Sequence, residues 1–134
     1  MIYTMMQACE ETGMTYQGLK FYCNEGLIPN VKRDKNNRRI FDEHDIAWIK
    51  SLKCLKNCGM GIVEMKEYTR LCLEGKATIP ERKIILDKKR KQLQKNIAAL
   101  NASIDYIDKK QKFYDDVQSG KCEYISNLIP CSCN

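Results

Sequence analysis

Eight cysteines are the most chemically active side chains of this sequence: Cys9, Cys23, Cys54, Cys58, Cys72, Cys122, Cys131 and Cys133. Thiols at this density pair as disulfides, hold a soft metal ion, or react with oxidants and electrophiles. A disulfide framework belongs to small secreted chains. Met1-Ile2-Tyr3-Thr4 shows no basic segment followed by an apolar one, so no signal peptide is expected and the thiols should be mostly reduced, some of them buried. Cys54 and Cys58 stand four residues apart and share one helix face. A disulfide between them would be strained without unwinding near Gly59, and an ordinary residue at a helix end is the plainer reading of Cys58. Lys50, Lys53 and Lys56 lie near Cys54 and would favour its thiolate, unless each simply reaches solvent. Cys54 also reads as a small core residue between Leu52 and Leu55. Cys122, Cys131 and Cys133 place three thiols near the end of the sequence, and soft thiolates suit copper(I), zinc or mercury. His44 is the sole histidine.

Other chemistry is missing. There is no phosphate-binding glycine loop, no nucleophile–base pair with a second histidine and no recognisable catalytic carboxylate pair, so an enzyme is not expected. No apolar run approaches the roughly 20 residues of a membrane helix, and a cytoplasmic protein without membrane contact is expected. The formal charge is +6, unevenly spread. Residues 31–41 hold Lys32, Arg33, Lys35, Arg38 and Arg39 against Asp34 alone, a density suited to phosphate contact. Residues 81–95 hold seven basic side chains against Glu81 and Asp87, which on a long helix reads as a solvated face.

The elements that must position these groups are mainly helical. Thr4 and Gln7 form a capping box for a helix that runs to about Thr12 and stops at Gly13. Thr15 caps a second helix carrying Tyr16, Gln17, Leu19, Lys20, Phe21 and Tyr22 and ending near Gly26. Two short helices about a glycine turn are a helix-turn-helix pattern, weak evidence alone because helical hairpins are common. Val31-Lys32-Arg33 and Arg39-Ile40-Phe41 then read as strands joined by Asp34 to Asn37, a basic hairpin placed as a wing. Asp42 caps a third helix whose apolar face is Ile46, Ile49, Leu52 and Leu55, stopped by Gly59. Met65, Tyr68 and Cys72 line one face of a fourth helix, which makes Cys72 a core residue. Thr78-Ile79-Pro80-Glu81 reads as a second capping box.

The helix that follows is expected to be about 38 residues long. Leu86, Leu93, Leu100, Ile107 and Tyr114 recur every seven residues, and Arg90, Ile97, Ile104 and Gln111 hold the alternate heptad positions. A small domain cannot cover such a stripe, so a partner helix is expected, most simply from a second copy. The expected fold class is mainly α. A winged helix-turn-helix domain with a small β-hairpin wing spans 1–75, a dimerisation helix forming an antiparallel coiled coil spans 76–118, and a cysteine-containing tail spans 119–134.

These segments resemble the MerR family of transcription regulators. Gly18-Leu19-Lys20-Phe21-Tyr22 with Glu25-Gly26-Leu27-Ile28-Pro29 is similar to the family's "TLRYY…GLLxP" segment. Arg39-Ile40-Phe41-Asp42 is similar to its "YRxYxxxD" wing exit, and Cys58-Gly59-Met60 ahead of Ile62 and Met65 to its "GM/GF…I" junction. The likeness covers residues 2 to about 118. Arg38 stands where a wing tyrosine is usual, Gln17 where arginine or lysine is common, and Lys20 where the motif has arginine. The resemblance implies a homodimer that binds a pseudo-palindromic operator in double-stranded promoter DNA, bends and underwinds it, and acts on RNA polymerase at that promoter. It implies DNA contacts from Thr15, Tyr16, Gln17, Lys20, Tyr22, Lys35, Arg38 and Arg39, and dimer contacts from Leu86, Leu93, Ile97, Leu100, Ile104, Ile107 and Tyr114.

Larger family members carry a drug-binding domain after the dimer helix, and the residues here are too few for a ligand pocket. No cofactor is expected in the leading reading, and the signal should act on thiols, a metal or a partner. The segment from Leu52 to Met60 resembles the NmlR/AdhR-like branch, in which a cysteine at the Cys54 position answers to aldehydes and other thiol-reactive electrophiles. Cys54 is therefore the expected sensor thiol, placed in a packed joint between helices three and four, with Cys58 as its possible resolving partner. The rival reading is a metal-responsive regulator, since Cys122 and Cys131 with Cys133 resemble the metal-binding loop of other members and would take copper(I) or zinc. The expected start-of-helix ligand is missing there, with only Thr78 nearby, and a disordered tail is the competing explanation. An architectural DNA-binding protein without a sensing role, or a coiled-coil adaptor, is a further alternative.

Overall fold

The computed structural model describes residues 1–129. Their elements run β1 (Tyr3–Thr4), α1 (Met5–Thr12), α2 (Tyr16–Asn24), β2 (Lys32–Arg33), β3 (Arg39–Phe41), α3 (Glu43–Asn57), α4 (Ile62–Glu74), a 3-10 turn (Lys76–Thr78) and α5 (Ile79–Gln118). The expected mainly α fold with a small wing is present.

The helix ends follow the expected local chemistry. The Thr4 side chain accepts from the Gln7 amide while Gln7 Oε1 accepts from the Thr4 amide, and Gly13 closes α1 at φ 71°. Thr15 caps α2 by accepting from the Gly18 amide at 3.0 Å. Asp42 and Asp45 cap α3 reciprocally. Two backbone amides hold the Asp42 carboxyl below its ordinary range, that of Asp45 foremost, whereas burial pushes Asp45 up.

The hairpin gains a strand that the sequence reading did not include. β1 pairs antiparallel with β3, Tyr3 opposite Phe41 and Thr4 opposite Ile40, so the sheet order is β1-β3-β2. β1 is two residues long, too short for a periodicity signal. The β2–β3 loop is shaped by Asp34, whose Oδ1 accepts from the amides of Asn36 and Arg38 at 2.9 and 3.0 Å. Asn37 follows at φ 61°, the left-handed conformation asparagine tolerates.

One core joins β1, β3 and helices α1 to α4. Leu19 from α2, Phe41 from β3, Ile49 and Leu52 from α3 and Met65 from α4 are each fully buried or nearly so. Trp48 fixes the chain after α2, its indole N–H donating to the Leu27 carbonyl at 2.7 Å. The compact unit runs through Lys91, beyond the expected boundary at 75, and a second begins at Gln92. Ile85 packs against the core of the first unit, and Lys89 pairs with Glu64 at 2.8 Å.

The expected capping box at Thr78 and Glu81 is absent. Residues 76–78 tighten into the 3-10 turn and bury Thr78, whose hydroxyl donates to the Leu71 carbonyl, with the Gly75 carbonyl also in reach, and accepts from Arg82 Nε at 3.1 Å. An oxygen turned this way is not available to the Glu81 amide. In the second unit α5 ends in a Schellman turn, in which the Lys121 and Gly120 amides donate to the carbonyls of Asp116 and Val117 and Gly120 takes φ 82°.

Candidate nucleic-acid interface

Helix α2 has two faces. Leu19 and Tyr22 point into the core, while Thr15, Tyr16, Gln17 and Lys20 are exposed at its N-terminal end. That spacing is the helical i, i+3, i+4 set, so Tyr16, Gln17 and Lys20 share one surface. Thr15 is at this surface too, but its side-chain oxygen already serves as the cap.

Tyr22 corrects an expectation. It is only 4% exposed, and its side chain belongs to the core. Phe21 is the aromatic on the open side, 46% exposed. The resemblance implied a contact from the motif tyrosine, whereas the helical phase decides which ring faces out. The Tyr22 hydroxyl is buried without a hydrogen-bond partner among the described residues. Tyr22→Phe should therefore leave DNA affinity unchanged and raise stability by about 1 kcal/mol, since it removes an unsatisfied buried polar group. Chemical denaturation and a binding titration check both parts, and a several-fold loss of DNA affinity would return Tyr22 to the interface.

The wing stands beside this surface. Tyr16 and the arginines Arg33, Arg38 and Arg39 line one open groove of about 430 Å³. Arg33 Nη1 donates to the Asn37 carbonyl at 2.8 Å and stiffens the hairpin. Arg39 Nη2 donates to Asn24 Oδ1 at 2.7 Å and ties the wing to the end of α2. Lys35 and Arg38 are exposed at the wing. A guanidinium-rich groove next to an aromatic ring and a helix N-terminus is suited to phosphate oxygens. The sequence reading counted Arg33 in the basic segment but named neither it nor Asn24 among the DNA contacts, because the hydrogen bonds that place them are visible only in the fold.

The thiols are placed unequally. Cys54 is exposed, so the expectation that it fills a packed joint is not met. Within the last turns of α3, Leu52 and Leu55 are the buried residues, because α3 packs through that face. The Lys53 ammonium donates to the Thr12 carbonyl at 2.7 Å. Cys58 is half-buried at the α3 C-cap, where its amide donates to the Cys54 carbonyl at 3.0 Å. Burial pushes up the thiols of Cys9 and Cys23. Cys122 is exposed, and Cys131 and Cys133 lie outside the described residues. No cluster of three or more potential metal ligands occurs among the described residues.

The second unit carries the heptad stripe. Ile97, Leu100, Ile104, Ile107 and Tyr114 are all exposed, from 48% to 64%, and no α5 residue is buried. Leu86, in the first unit, is 41% exposed, and Leu93 is half-buried. No helix among the described residues is long and apolar enough to cross a membrane.

A short helix-turn-helix, a basic wing bonded to it and a long apolar-striped helix define a class of DNA-associated regulator, and residues 3–72 match the MerR HTH family regulatory protein model. The chain belongs to the MerR family. It is 35% identical over 119 residues to an uncharacterised HTH-type transcriptional regulator of Haemophilus influenzae, covering 89% of this chain and 88% of that one. It is 42% identical over 87 residues to the HTH-type transcriptional regulator AdhR of Bacillus subtilis, covering 65% of this chain and 62% of AdhR. Among solved structures, HiNmlR, a MerR family regulator lacking the sensor domain and bound to promoter DNA, superposes with a TM-score of 0.74 at 35% identity over 89% of this chain and 94% of that one. A MerR family regulator from Listeria monocytogenes superposes with a TM-score of 0.75 at 28% identity, over 84% of this chain and 86% of that one. The expected kinship with NmlR-like and AdhR-like regulators therefore holds, and these relatives are transcriptional regulators, not enzymes.

Proposed function

We propose that this MerR-family regulator binds promoter DNA as a homodimer and controls transcription by RNA polymerase in response to thiol-reactive electrophiles. The observation that carries the DNA reading is the groove in which Tyr16 meets Arg33, Arg38 and Arg39, beside the exposed Gln17 and Lys20. Lys20 and the arginines contact phosphates and set register, and Tyr16 and Gln17 face base edges. The likeness to HiNmlR bound to promoter DNA supports the same docking here. The exposed stripe of α5 supports an antiparallel helix pair as the dimer contact. The exposed Cys54 supports the electrophile reading, because a reagent reaches it without opening the fold.

The test is a titration of the full chain against the DNA upstream of its own operon at several salt concentrations. Binding should weaken steeply with salt, and Lys20→Ala and Arg39→Ala should each reduce affinity for all sequences and lower the log–log salt slope by about 0.9 per lost phosphate contact. Tyr16→Ala and Gln17→Ala should change which sequences are preferred. Absence of binding at low salt would overturn the proposal. Transcription from the bound promoter, unchanged by aldehyde or diamide, would leave an architectural protein instead.

A further inference from the structure

The groove beside the wing is not wholly polar. Tyr16 and the wing arginines share it with Met5, Met6 and Ile40. Met5 packs against the core, and Ile40 sits half-buried in the central strand, so neither presents much surface to an incoming molecule. Met6, in the first turn of α1, is 62% exposed. Met1 and Ile2 are exposed as well, but they do not line the groove. One flexible thioether chain and one aromatic ring therefore stand open among the guanidinium groups.

The charges account for only part of what this groove can bind. Arg33 and Arg39 are held by the Asn37 carbonyl and by Asn24 Oδ1, and their remaining N–H groups suit phosphate oxygens. A methionine gains nothing from a phosphate, because it has no N–H or O–H to donate. Its gain comes from apolar surface taken out of water. In the major groove of a duplex the apolar group on a base edge is the C5 methyl of thymine. Methionine suits that small target, being unbranched, polarisable and able to adjust about three rotatable bonds. Tyr16, on the same groove, opens α2, and a recognition helix meets base edges with its N-terminal residues. The Met6 wall is thus next to the end of α2 that reads bases.

We propose that Met6 is a specificity-determining residue, whose side chain packs on the C5 methyl of one thymine in each half-site of the bound DNA. The inference rests on the DNA reading above and adds to it a base contact from α1, outside the recognition helix. The contact is apolar, so it selects a base without neutralising a phosphate, and its loss should not change how binding responds to salt.

The test removes the methyl group and nothing else. The full chain is titrated against duplexes from the footprinted DNA upstream of its own operon, with each thymine replaced in turn by deoxyuridine. Replacement at one thymine per half-site should weaken binding about threefold for each methyl lost, and about tenfold when both half-sites carry it. Met6→Ala should bind the thymine and uracil duplexes equally, with an unchanged log–log salt slope. Met6→Leu, which keeps an apolar side chain of similar size, should retain the preference for thymine. The residue is exposed, so neither variant should disturb the fold, and circular dichroism checks this. Equal binding of all uracil duplexes by the wild-type chain would overturn the proposal, as would a thymine preference that survives in Met6→Ala. A salt slope lowered by Met6→Ala would give the residue a backbone role instead. Failure to bind any upstream duplex at low salt would overturn the DNA reading itself, and this inference with it.

Discussion

Replacing Leu93 and Leu100 together by aspartate should convert the proposed homodimer to a monomer and remove tight operator binding. Leu100 is 64% exposed in a single chain and Leu93 half-buried, so neither holds the protomer together. Both lie beyond Lys91, outside the unit that carries α2 and the wing. The damage should therefore fall on assembly and not on folding of that unit. Each leucine buried against a partner helix contributes about 1.5–3 kcal/mol, and a carboxylate in its place must be buried unpaired or kept in water. A twofold-related contact doubles the number of lost leucines. Losing the second DNA-binding unit removes the effective-concentration advantage of linked half-sites, a factor on the order of 10²–10⁴ in operator affinity. Sedimentation at micromolar concentration and an operator titration read both effects, with circular dichroism checking the helices. A double variant that still sediments as a dimer would show that the contact lies elsewhere.

Cys54→Ser should abolish induction by aldehyde or diamide while leaving the fold and operator binding intact. The side chain is exposed, so its replacement by a near-isostere should change stability by no more than about 0.5 kcal/mol. Access is one half of the argument and thiol chemistry the other. Cys9 and Cys23 pack against the core with their thiols pushed up by burial, which keeps the reactive thiolate scarce at neutral pH. Mass spectrometry after brief exposure to an electrophile should accordingly find Cys54 modified well before either of them. In vitro transcription with the serine variant is the deciding measurement, and full inducibility would sink the sensor role of Cys54.

Most of the helical plan was legible because each boundary carries its own chemistry. Thr4 with Gln7, Thr15, Asp42 with Asp45, Gly13 and Gly120 all announce helix ends through local hydrogen bonds or positive φ. The legible part of the site was of the same kind: the exposed Tyr16, Gln17 and Lys20 follow from helical phase, and the basic hairpin from its turn. What escaped depends on partners distant in sequence. β1 exists because Tyr3 finds Phe41 across the chain, and no pattern in two residues could announce that. Thr78 matched a capping motif, yet its hydroxyl turns to Leu71 once the 3-10 turn buries it. Tyr22 and Cys54 were exchanged in kind, a motif tyrosine going inside and a thiol between two leucines going outside. In both cases a one-residue step around a helix, 100°, separates core from solvent, and residue type alone does not resolve it.

The third strand alters how the wing can behave mechanically. A two-strand hairpin on flexible ends would be a hinged flap. Here β3 is sewn to β1, β1 runs directly into α1, the Tyr3 hydroxyl grips Glu43 at the start of α3, and Arg39 reaches across to Asn24. Wing and helix-turn-helix therefore form a single stiff tool head, its grip on a duplex preset before contact. Such a head has few internal degrees of freedom to tune, so any rearrangement moves it as a whole.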